Sequence, residues 1–257
     1  SRISSKYDAK MALKTTFNYS PNFNPKKRNS KKIKFIIFHY TGMKKESEAI
    51  NRLTDMQSKV SCHYLIKHNG DVVTLVPDLY ESWHAGESSW KNYKSLNKNS
   101  IGIEVTNPGH EFGYKKFSKK QIFSLLKLSK FLIKKYKISY KNILGHSDIA
   151  PQRKKDPGEK FPWKHLSKNK VGLGHTLKKQ ELIKNRNSKT SQIEKEFFFN
   201  NLFKIGYSKK IPEGINKGRY LGNVTKAFQR RFRQELVNDK IDQECLLISK
   251  NLLKRFN

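Results

Sequence analysis

The stretch Lys34-Phe35-Ile36-Ile37-Phe38-His39, followed by Tyr40-Thr41-Gly42, decides the fold of this chain. A short, continuous apolar run that ends in a turn signal is typical of a strand buried inside a sheet. The last residue of the run, His39, is polar. The stretch therefore predicts a central strand that delivers a histidine to the edge of the sheet.

The segments around this strand alternate between strand and helix patterns. Further strands are predicted at 61–66, 72–76, 101–105 and 142–145, and amphipathic helices at 46–57 and 118–137. Asn69-Gly70 lies between two of the strands and is a strong hairpin signal. This order predicts an α/β fold, a mixed central sheet flanked by helices, with its chemistry at strand ends and in the loops beyond them.

We divide the chain into four parts. They are an extended N-terminal arm (1–31), the α/β domain (32–166), a linker or covering loop (167–191) and a small C-terminal three-helix domain (192–257). Helices are predicted at 193–205, 224–236 and 243–255, the last capped by Asp242. Helices this short can bury a shared core only as a compact bundle.

The composition is strongly basic. Fifty-four Lys and Arg against 21 Asp and Glu give a formal net charge of +33, which attracts polyanions at low salt. The lysines are spread through every segment, so two interpretations stay open: a general lysine bias of the source proteome, or a surface that binds a polyanion such as nucleic acid or an anionic cell envelope.

Neither the N-terminus nor the two cysteines identifies a targeting segment, a metal site or a redox pair. No apolar run approaches the roughly 20 residues that a membrane-spanning helix needs. The chain begins Ser1-Arg2-Ile3, and we expect a targeting segment to be absent from it. Cys62 and Cys245 have no CxxC spacing, so we expect free thiols, with Cys62 buried.

Polar residues at strand ends suggest a metal site. His39 and His146 each follow an apolar strand, and Asp156 lies in the loop after His146. Two imidazoles and a carboxylate suit Zn²⁺, with a fourth position left for water. Glu104 is the candidate to handle the proton of that water, and Lys154 to stabilise a tetrahedral oxyanion. Alternatively, each histidine is a packed, hydrogen-bonded residue and Glu104 points outward.

Five segments together resemble the type 2 N-acetylmuramoyl-L-alanine amidases, and they occur in that family's order. They are Phe38-His39-Tyr40-Thr41, Ser61-Cys62-His63-Tyr64-Leu65-Ile66, Ser82-Trp83-His84-Ala85-Gly86, Ile101-Gly102-Ile103-Glu104 and the loop from His146 to Gly158. The resemblance covers roughly residues 32–166 and implies that this part is a zinc amidase catalytic domain.

The resemblance implies zinc-dependent hydrolysis of the amide between N-acetylmuramic acid and L-alanine in peptidoglycan or muropeptides. It implies one Zn²⁺ per chain, held by His39, His146 and Asp156, and Glu104 with Lys154 as the catalytic pair. A further set of residues matches positions that line the substrate groove in such enzymes: His63, His84 and Asn107. For His63 and His84, hydrogen bonds to local backbone groups are the alternative.

The C-terminal part resembles a three-helix peptidoglycan-binding module, through Ala227-Phe228-Gln229-Arg230-Arg231-Phe232-Arg233 and Asp239-Lys240-Ile241-Asp242-Gln243-Glu244. It departs from such modules at Lys240 and Cys245, where they carry Gly and Thr. Two interpretations stay open, a wall-binding module and a brace packed on the catalytic domain. The first predicts that removing residues 192–257 weakens binding to sacculi but spares cleavage of small muropeptides.

The alternative function is a non-catalytic peptidoglycan-recognition protein. Nucleic acid is not expected as a partner, because Arg230, Arg231 and Arg233 are too few for a recognition helix and are expected to cover the bundle surface or meet wall carboxylates. The expected partners are peptidoglycan and muropeptides, with peripheral association with the cell envelope. The expected location is the bacterial periplasm or envelope, with the cytoplasm as the alternative.

Overall fold

The computed structural model describes residues 15–257, so residues 1–14 of the predicted arm lie outside the described part. The strands are β1 (Thr15–Phe17), β2 (Phe35–Tyr40), β3 (Tyr64–Ile66), β4 (Val72–Thr74), β5 (Ser89–Trp90), β6 (Tyr93–Lys94), β7 (Ser100–Val105) and β8 (Ile143–Gly145). The helices are α1 (Glu46–Thr54), α2 (Lys119–Tyr136), α3 (His146–Ile149), α4 (Trp163–Lys168), α5 (Lys179–Asn185), α6 (Gln192–Ile205), α7 (Lys217–Phe232) and α8 (Gln243–Phe256). Single 3-10 turns lie at Ser30–Lys32, Met56–Ser58, Leu96–Asn99 and Tyr140–Asn142.

Six strands form one mixed sheet in the order β1-β4-β3-β7-β2-β8, which confirms the predicted fold class. Only the β3–β4 pair is antiparallel among the pairs of this sheet that the described residues form. The β3–β4 connection is the predicted hairpin, with Gly70 at φ +90° where a side chain would strain the turn. The apolar β2 lies between β7 and β8 at the centre of the parallel part.

Two features of the sheet were not predicted. The short strand β1 extends the sheet beyond β4, and β5 and β6 form a separate two-stranded ribbon. Neither has a continuous apolar run: Thr15–Phe17 is partly or fully exposed and Ser89–Trp90 is only two residues long. Periodicity carries no signal for strands of this length.

Helix α2 covers one face of the sheet. Ser118 and Gln121 form a capping box at its start, and Lys137 adopts a left-handed conformation at its end. Its buried side includes Leu125, Leu128 and Leu132, which join a core cluster with residues of β2 and β7. The predicted helix at 118–137 is thus confirmed to within a residue.

The three predicted C-terminal helices are present as α6, α7 and α8. Helix α7 starts at Lys217, well before the predicted start at residue 224, because the side chain of Asn216 caps it by accepting from the amide of Arg219. Asp242 caps α8 as predicted, accepting from the amide of Cys245. The predicted linker contains the short helix α5, whose Leu182 is buried in the same core as α7.

The sheet and the C-terminal helices share one hydrophobic core. Phe35, Leu144 and Ile149 from the α/β part belong to the same buried cluster as Phe198 and Phe228 from α6 and α7. Because a freely attached module would keep a separate core, the C-terminal helices pack with the sheet as parts of one body.

The prediction for the three arginines at the end of α7 and just after it is wrong. Arg230, Arg231 and Arg233 are at most 8% exposed and make ion pairs or hydrogen bonds inside the protein. They therefore neither cover the bundle surface nor reach a wall carboxylate. Both cysteines are free and Cys62 is buried, as predicted, and Cys245 is buried as well. Within residues 15–257, no helix has the length and apolar character needed to cross a membrane.

Candidate active site

A cleft of about 530 Å³ opens at the C-terminal ends of β2 and β7. Its walls come from β2, β7, α1, the loop after β7 and the loop after α3. The residues facing it include His39, Tyr40, Arg52, Trp83, Glu104, His110, Glu111, His146, Lys154, Lys155 and Asp156. The cleft thus collects the metal and catalytic residues predicted from sequence.

Three of these residues converge on one point. The Nδ1 atoms of His39 and His146 are 3.0 Å apart, and the Oδ2 atom of Asp156 lies 3.2 Å from the first and 3.1 Å from the second. His39 is the last residue but one of the central strand β2, and His146 begins α3 directly after β8, which pairs with β2. The parallel pairing of two short strands therefore brings the histidines together.

Hydrogen bonds fix which nitrogen of each ring bears the proton. In His146, Nε2 lies 2.9 Å from the carbonyl oxygen of Ala85, so it donates and Nδ1 keeps a lone pair. For His39 the proton is fixed through a chain. Ser100 Oγ donates its proton to the Leu96 carbonyl, so it accepts from Nε2 of His84. Nδ1 of His84 therefore carries no proton and accepts from Nε2 of His39. The proton of His39 is thus on Nε2, and its Nδ1 keeps a lone pair.

The result is a set of three atoms that fits a cation. Two nitrogen lone pairs and a carboxylate oxygen face one another at about hydrogen-bond distance with no proton left to place between them. The three electron-rich atoms repel one another unless a positive charge lies among them. The His39, His146 and Asp156 group could therefore hold a metal ion, and their N, N, O donor set suits zinc.

The electrostatics favour a neutral imidazole at His39 and an ionised carboxylate at Asp156. Burial, with the neighbouring His146, lowers the pKa of His39 to about 4. Burial alone would raise the pKa of Asp156, but the adjacent His146 and His39 hold it below its usual range. Histidine binds metals in its neutral form, so the site is prepared for an ion at neutral pH.

Glu104 lies beside the metal group. It is paired in register with His39 across β7 and β2, so the two side chains leave the same face of adjacent strands. Burial, reinforced by the nearby Asp156, raises the pKa of Glu104 to about 8. Lys154 also lines the cleft, from the loop that leads to Asp156. A carboxyl group with this pKa can exchange a proton near neutral pH.

Two of the three predicted substrate contacts, His63 and Asn107, are buried and hydrogen-bonded within the protein, and their contact with substrate stays a prediction. His63 is fully buried, and its ring nitrogens bond Ser82, the Gly102 amide and the Tyr80 carbonyl. Asn107 is 1% exposed and ties together backbone of the loop after β7. His84 borders the cleft, but both its ring nitrogens are occupied by His39 and Ser100, so a nitrogen contact to substrate would break the chain that orients His39.

Burial of His63 makes stability depend on pH. Burial, with the positive charge of Arg28 next, lowers the pKa of His63 from 6.5 to about 3. Between these values the unfolded chain binds the extra proton and the folded chain does not, so stability is full above pH 6.5 and falls as pH decreases towards 3. We expect a loss of about 2 kcal/mol from His63 between pH 6.5 and 5.

Urea unfolding of metal-free protein at several pH values checks this expectation. His63→Gln should be less stable at pH 7 yet lose less stability on acidification than the parent chain. His68→Gln, which changes an exposed histidine, should keep the parent's pH dependence. Equal slopes for the parent and His63→Gln would contradict a neutral, buried His63.

Sequence reasoning missed residues that hold the loop carrying His146 and Asp156 in place from the side of the C-terminal helices. Asp148 accepts from Tyr207 and Arg231 of the C-terminal part and from the Gly145 amide just before His146. Arg230 donates to Ser147, whose amide bonds the carbonyl oxygen of Asp156. Asp148 stands in the quoted loop only two residues after His146, but nothing in sequence identifies partners that lie so far along the chain.

A second missed feature lies on the cleft wall. Tyr40 donates from its hydroxyl to Nδ1 of His110, whose Nε2 donates to Glu159 at 2.9 Å. Burial, with Asp156 nearby, raises the pKa of Tyr40 to about 12. This chain joins the loop after β7 to the loop that carries Asp156, and so fixes the width of the cleft between them.

Comparison with known proteins matches this geometry. Residues 29–159 match the family model described as N-acetylmuramoyl-L-alanine amidase. The chain is 33% identical over 237 residues to the N-acetylmuramoyl-L-alanine amidase AmiD of Escherichia coli, covering 88% of this chain and 84% of that protein. It is 32% identical over 162 residues to the 1,6-anhydro-N-acetylmuramyl-L-alanine amidase AmpD of Haemophilus influenzae, covering 56% of this chain and 85% of that one.

Two solved structures resemble the whole fold. One is E. coli AmiD in complex with anhydro-N-acetylmuramic acid-L-Ala-D-gamma-Glu-L-Lys, with a TM-score of 0.75 at 33% identity, covering 88% of this chain and 90% of that chain. The other is AmpDh3 of Pseudomonas aeruginosa in complex with anhydromuramic pentapeptide, with a TM-score of 0.75 at 27% identity, covering 95% of this chain and 99% of that chain. By sequence and by fold, this chain belongs to the N-acetylmuramoyl-L-alanine amidase family.

Proposed function

We propose that this enzyme uses one zinc ion per chain to hydrolyse the amide between N-acetylmuramic acid and L-alanine in muropeptides. The observation that carries the proposal is the convergence of two imidazole lone pairs and the Asp156 carboxylate in the cleft. The substrates bound in the AmiD and AmpDh3 structures support a muropeptide, including one with an anhydro-sugar end.

The charges of the cleft suit this substrate. Four basic residues line it, and one of them, Arg153, is already bonded to the carbonyl oxygens of Ala85 and Glu87. The other three are Arg52, Lys154 and Lys155, whereas Glu104 and Glu111 are the glutamates on its walls. A stem peptide carries free carboxylates, which basic side chains bind by charge-assisted hydrogen bonds. We therefore assign these three cations to the acidic groups of the stem peptide and to the oxyanion.

The chain's own residues divide the chemistry between them. His39, His146 and Asp156 would hold the zinc, which acidifies water and polarises the scissile carbonyl. Glu104 accepts the proton of the attacking water and then donates it to the leaving amine of L-alanine. Lys154 supplies positive charge for the oxygen that becomes negative in the tetrahedral intermediate. Tyr40 and His110 keep the walls of the cleft at the distance the substrate requires.

Elemental analysis combined with mass spectrometry tests this function. About one zinc per chain, with chelator-sensitive release of free stem peptides from muropeptides, is the expected result. Zinc binding without release would leave a recognition protein. Release that persists after zinc is removed and verified absent would contradict the metal assignment.

A wall-binding role for residues 192–257 and a location in the periplasm or envelope also remain proposals. The resemblance of the tail to peptidoglycan-binding modules supports the first. The second follows from the first, because the polymer is found there. Sedimentation of the full chain with purified sacculi measures the wall binding directly.

The hydrogen-bond chain behind His39 gives a prediction about metal affinity. Ser100→Ala removes the acceptor that orients His84, and so frees His84 to present a proton to His39. Loss of such outer partners typically weakens metal binding by about 10-fold to 100-fold. We expect a loss of that size in competition titrations with a chromophoric chelator.

A matched control is Ser129→Ala, since Ser129 is equally buried but lies on α2, away from the cleft. Its metal affinity should equal that of the parent. If Ser100→Ala folds and binds zinc as tightly as the parent, the series of hydrogen bonds from Leu96 to His39 does not set the tautomer of His39.

A further inference from the structure

The outer face of α2 has a composition unlike the rest of the surface. At 100° per residue, the half of this helix facing away from the sheet carries Lys119, Lys120, Lys127, Lys130 and Lys134 together with Phe123 and Phe131, and Lys135 lies on its flank. The two phenylalanines are 69% and 48% exposed. No acidic residue occurs anywhere in α2, so this face is both cationic and aromatic.

The combination of lysines with exposed aromatic side chains distinguishes α2 from the other long helices. Helix α7 also lacks acidic residues, but its aromatic residues Tyr220, Phe228 and Phe232 are buried. Helix α6 carries Glu194 and Glu196 beside Lys195 and Lys204, and α8 carries Glu244 among its basic residues. A general lysine bias does not account for the two exposed phenylalanines that stand among the lysines of α2. The acidic residues nearest the α2 face are Asp71, beside its first turn, and Asp78, which pairs with Lys135 at 3.7 Å.

The exposed aromatic surface continues beyond the helix. Phe17 and Tyr19, which are 65% and 60% exposed, contact each other and share a groove of about 970 Å³ with Phe131. Lys27, Lys31 and Lys137 also border this groove. Large aromatic side chains exposed in a group, surrounded by lysines, mark an interaction surface.

We propose that this α2 face docks the enzyme on an anionic phospholipid surface. Lysines near such a surface are attracted to its negative potential, and each contributes about fivefold to binding. Phenylalanines on the same face bury in the boundary between headgroups and acyl chains. A polyanion without apolar groups would satisfy the lysines but would leave Phe123 and Phe131 in water, whereas a phospholipid surface offers both negative charge and an apolar layer.

The face lies outside the catalytic cleft, none of whose lining residues belongs to α2. The proposal is therefore independent of the proposed reaction, and its failure would leave that reaction untouched. Docking through α2 would hold the enzyme at a membrane while the cleft works on muropeptides.

Vesicle sedimentation tests the proposal. The full chain is mixed with vesicles of three parts phosphatidylcholine to one part phosphatidylglycerol, or of phosphatidylcholine alone. Binding to the anionic vesicles is expected, with at least a tenfold smaller partition coefficient for Lys130→Glu/Lys134→Glu. The matched control, Lys209→Glu/Lys210→Glu, makes the same change in net charge on an exposed loop and should alter binding about twofold or less.

A second pair of variants isolates the aromatic contribution. Phe123→Gln/Phe131→Gln should lose about tenfold in binding, a loss that persists at high salt, whereas Ile193→Gln/Phe197→Gln on the exposed side of α6 should match the parent. Equal losses from the two lysine pairs would overturn the proposal in favour of a general charge effect. Unchanged binding by the α2 phenylalanine variant would overturn it in favour of a simple polyanion site. Cleavage of soluble muropeptides should stay normal in all four variants.

Discussion

Glu104→Gln should keep the metal and lose between about a hundredfold and ten-thousandfold of kcat on a soluble muropeptide. The amide has nearly the shape of the carboxyl group but cannot accept the proton of the attacking water. The pKa of Glu104, raised to about 8 by burial, places the group where it can both take and return a proton near neutral pH. Zinc content is measured on the same preparation as the rate.

Glu111→Gln is the control, because Glu111 is an exposed carboxylate on the wall of the same cleft. It should keep kcat within a few fold. A zinc-loaded Glu104→Gln enzyme with a near-normal rate would remove Glu104 from the reaction, and Lys154 and Glu111 would then be the groups to examine. Loss of zinc from Glu104→Gln would instead indicate a structural role beside His39.

The α/β part of the fold was predictable because its signals are local and strong. The run at Phe35–Phe38 can satisfy its backbone and side chains only inside a sheet, and Asn69-Gly70 permits little besides a hairpin. The strand β1 could not be predicted, because three partly exposed residues owe their conformation to the β4 edge they pair with. Pairing of that kind depends on tertiary context.

The candidate site was predictable to the extent that its side chains follow strands. His39 and His146 lie after apolar runs, and parallel pairing brings the ends of those runs together. Exposure was not predictable. His63 and Asn107 occur in motifs next to the site, yet the first lies fully beneath the sheet edge and the second is used to shape a loop. A motif match indicates that a residue lies near the site, whereas contact with substrate depends on the direction in which its side chain points.

The burial of the C-terminal arginines was also unpredictable, because it depends on partners that are distant in the sequence. By sequence they are a basic cluster on an amphipathic helix, which is typical of a solvated surface. In the structure Arg231 contacts Asp148 at 3.0 Å, the Ile143 carbonyl at 2.8 Å and the ring of Trp163. Its partners lie more than sixty residues earlier in the sequence, so only the tertiary fold reveals that α7 supports the metal loop.

Loss of the Arg231 contacts should lower the free energy of unfolding and weaken binding of a metal ion at the site. Arg231→Met leaves the Asp148 carboxylate, 2% exposed, without its cation. Breaking a buried ion pair on one side costs about 3–5 kcal/mol. Because Asp148 also bonds the Gly145 amide just before His146, zinc affinity should fall as well. Urea unfolding and chelator competition measure the two effects.

Two comparisons separate this mechanism from general damage to α7. Arg219→Met, at an exposed position of the same helix, should change stability by less than about 0.5 kcal/mol. The double variant Asp148→Asn/Arg231→Met removes the unpaired charge and should recover part of the loss. A single Arg231→Met variant as stable as Arg219→Met would show that the pair contributes nothing.

Removing residues 192–257 should therefore abolish cleavage of soluble muropeptides, against the sequence-based expectation that it spares them. The truncation strips Phe198 and Phe228 from the shared core, exposing Phe35, Leu144 and Ile149, and takes Arg231 and Tyr207 from Asp148. A wall-binding module that merely concentrates the enzyme on sacculi would leave small substrates unaffected. Rates on a soluble muropeptide, measured with circular dichroism on the same truncated chain, decide between the two roles. A folded, fully active truncated enzyme would make the C-terminal helices dispensable to the site despite their contacts with the metal loop.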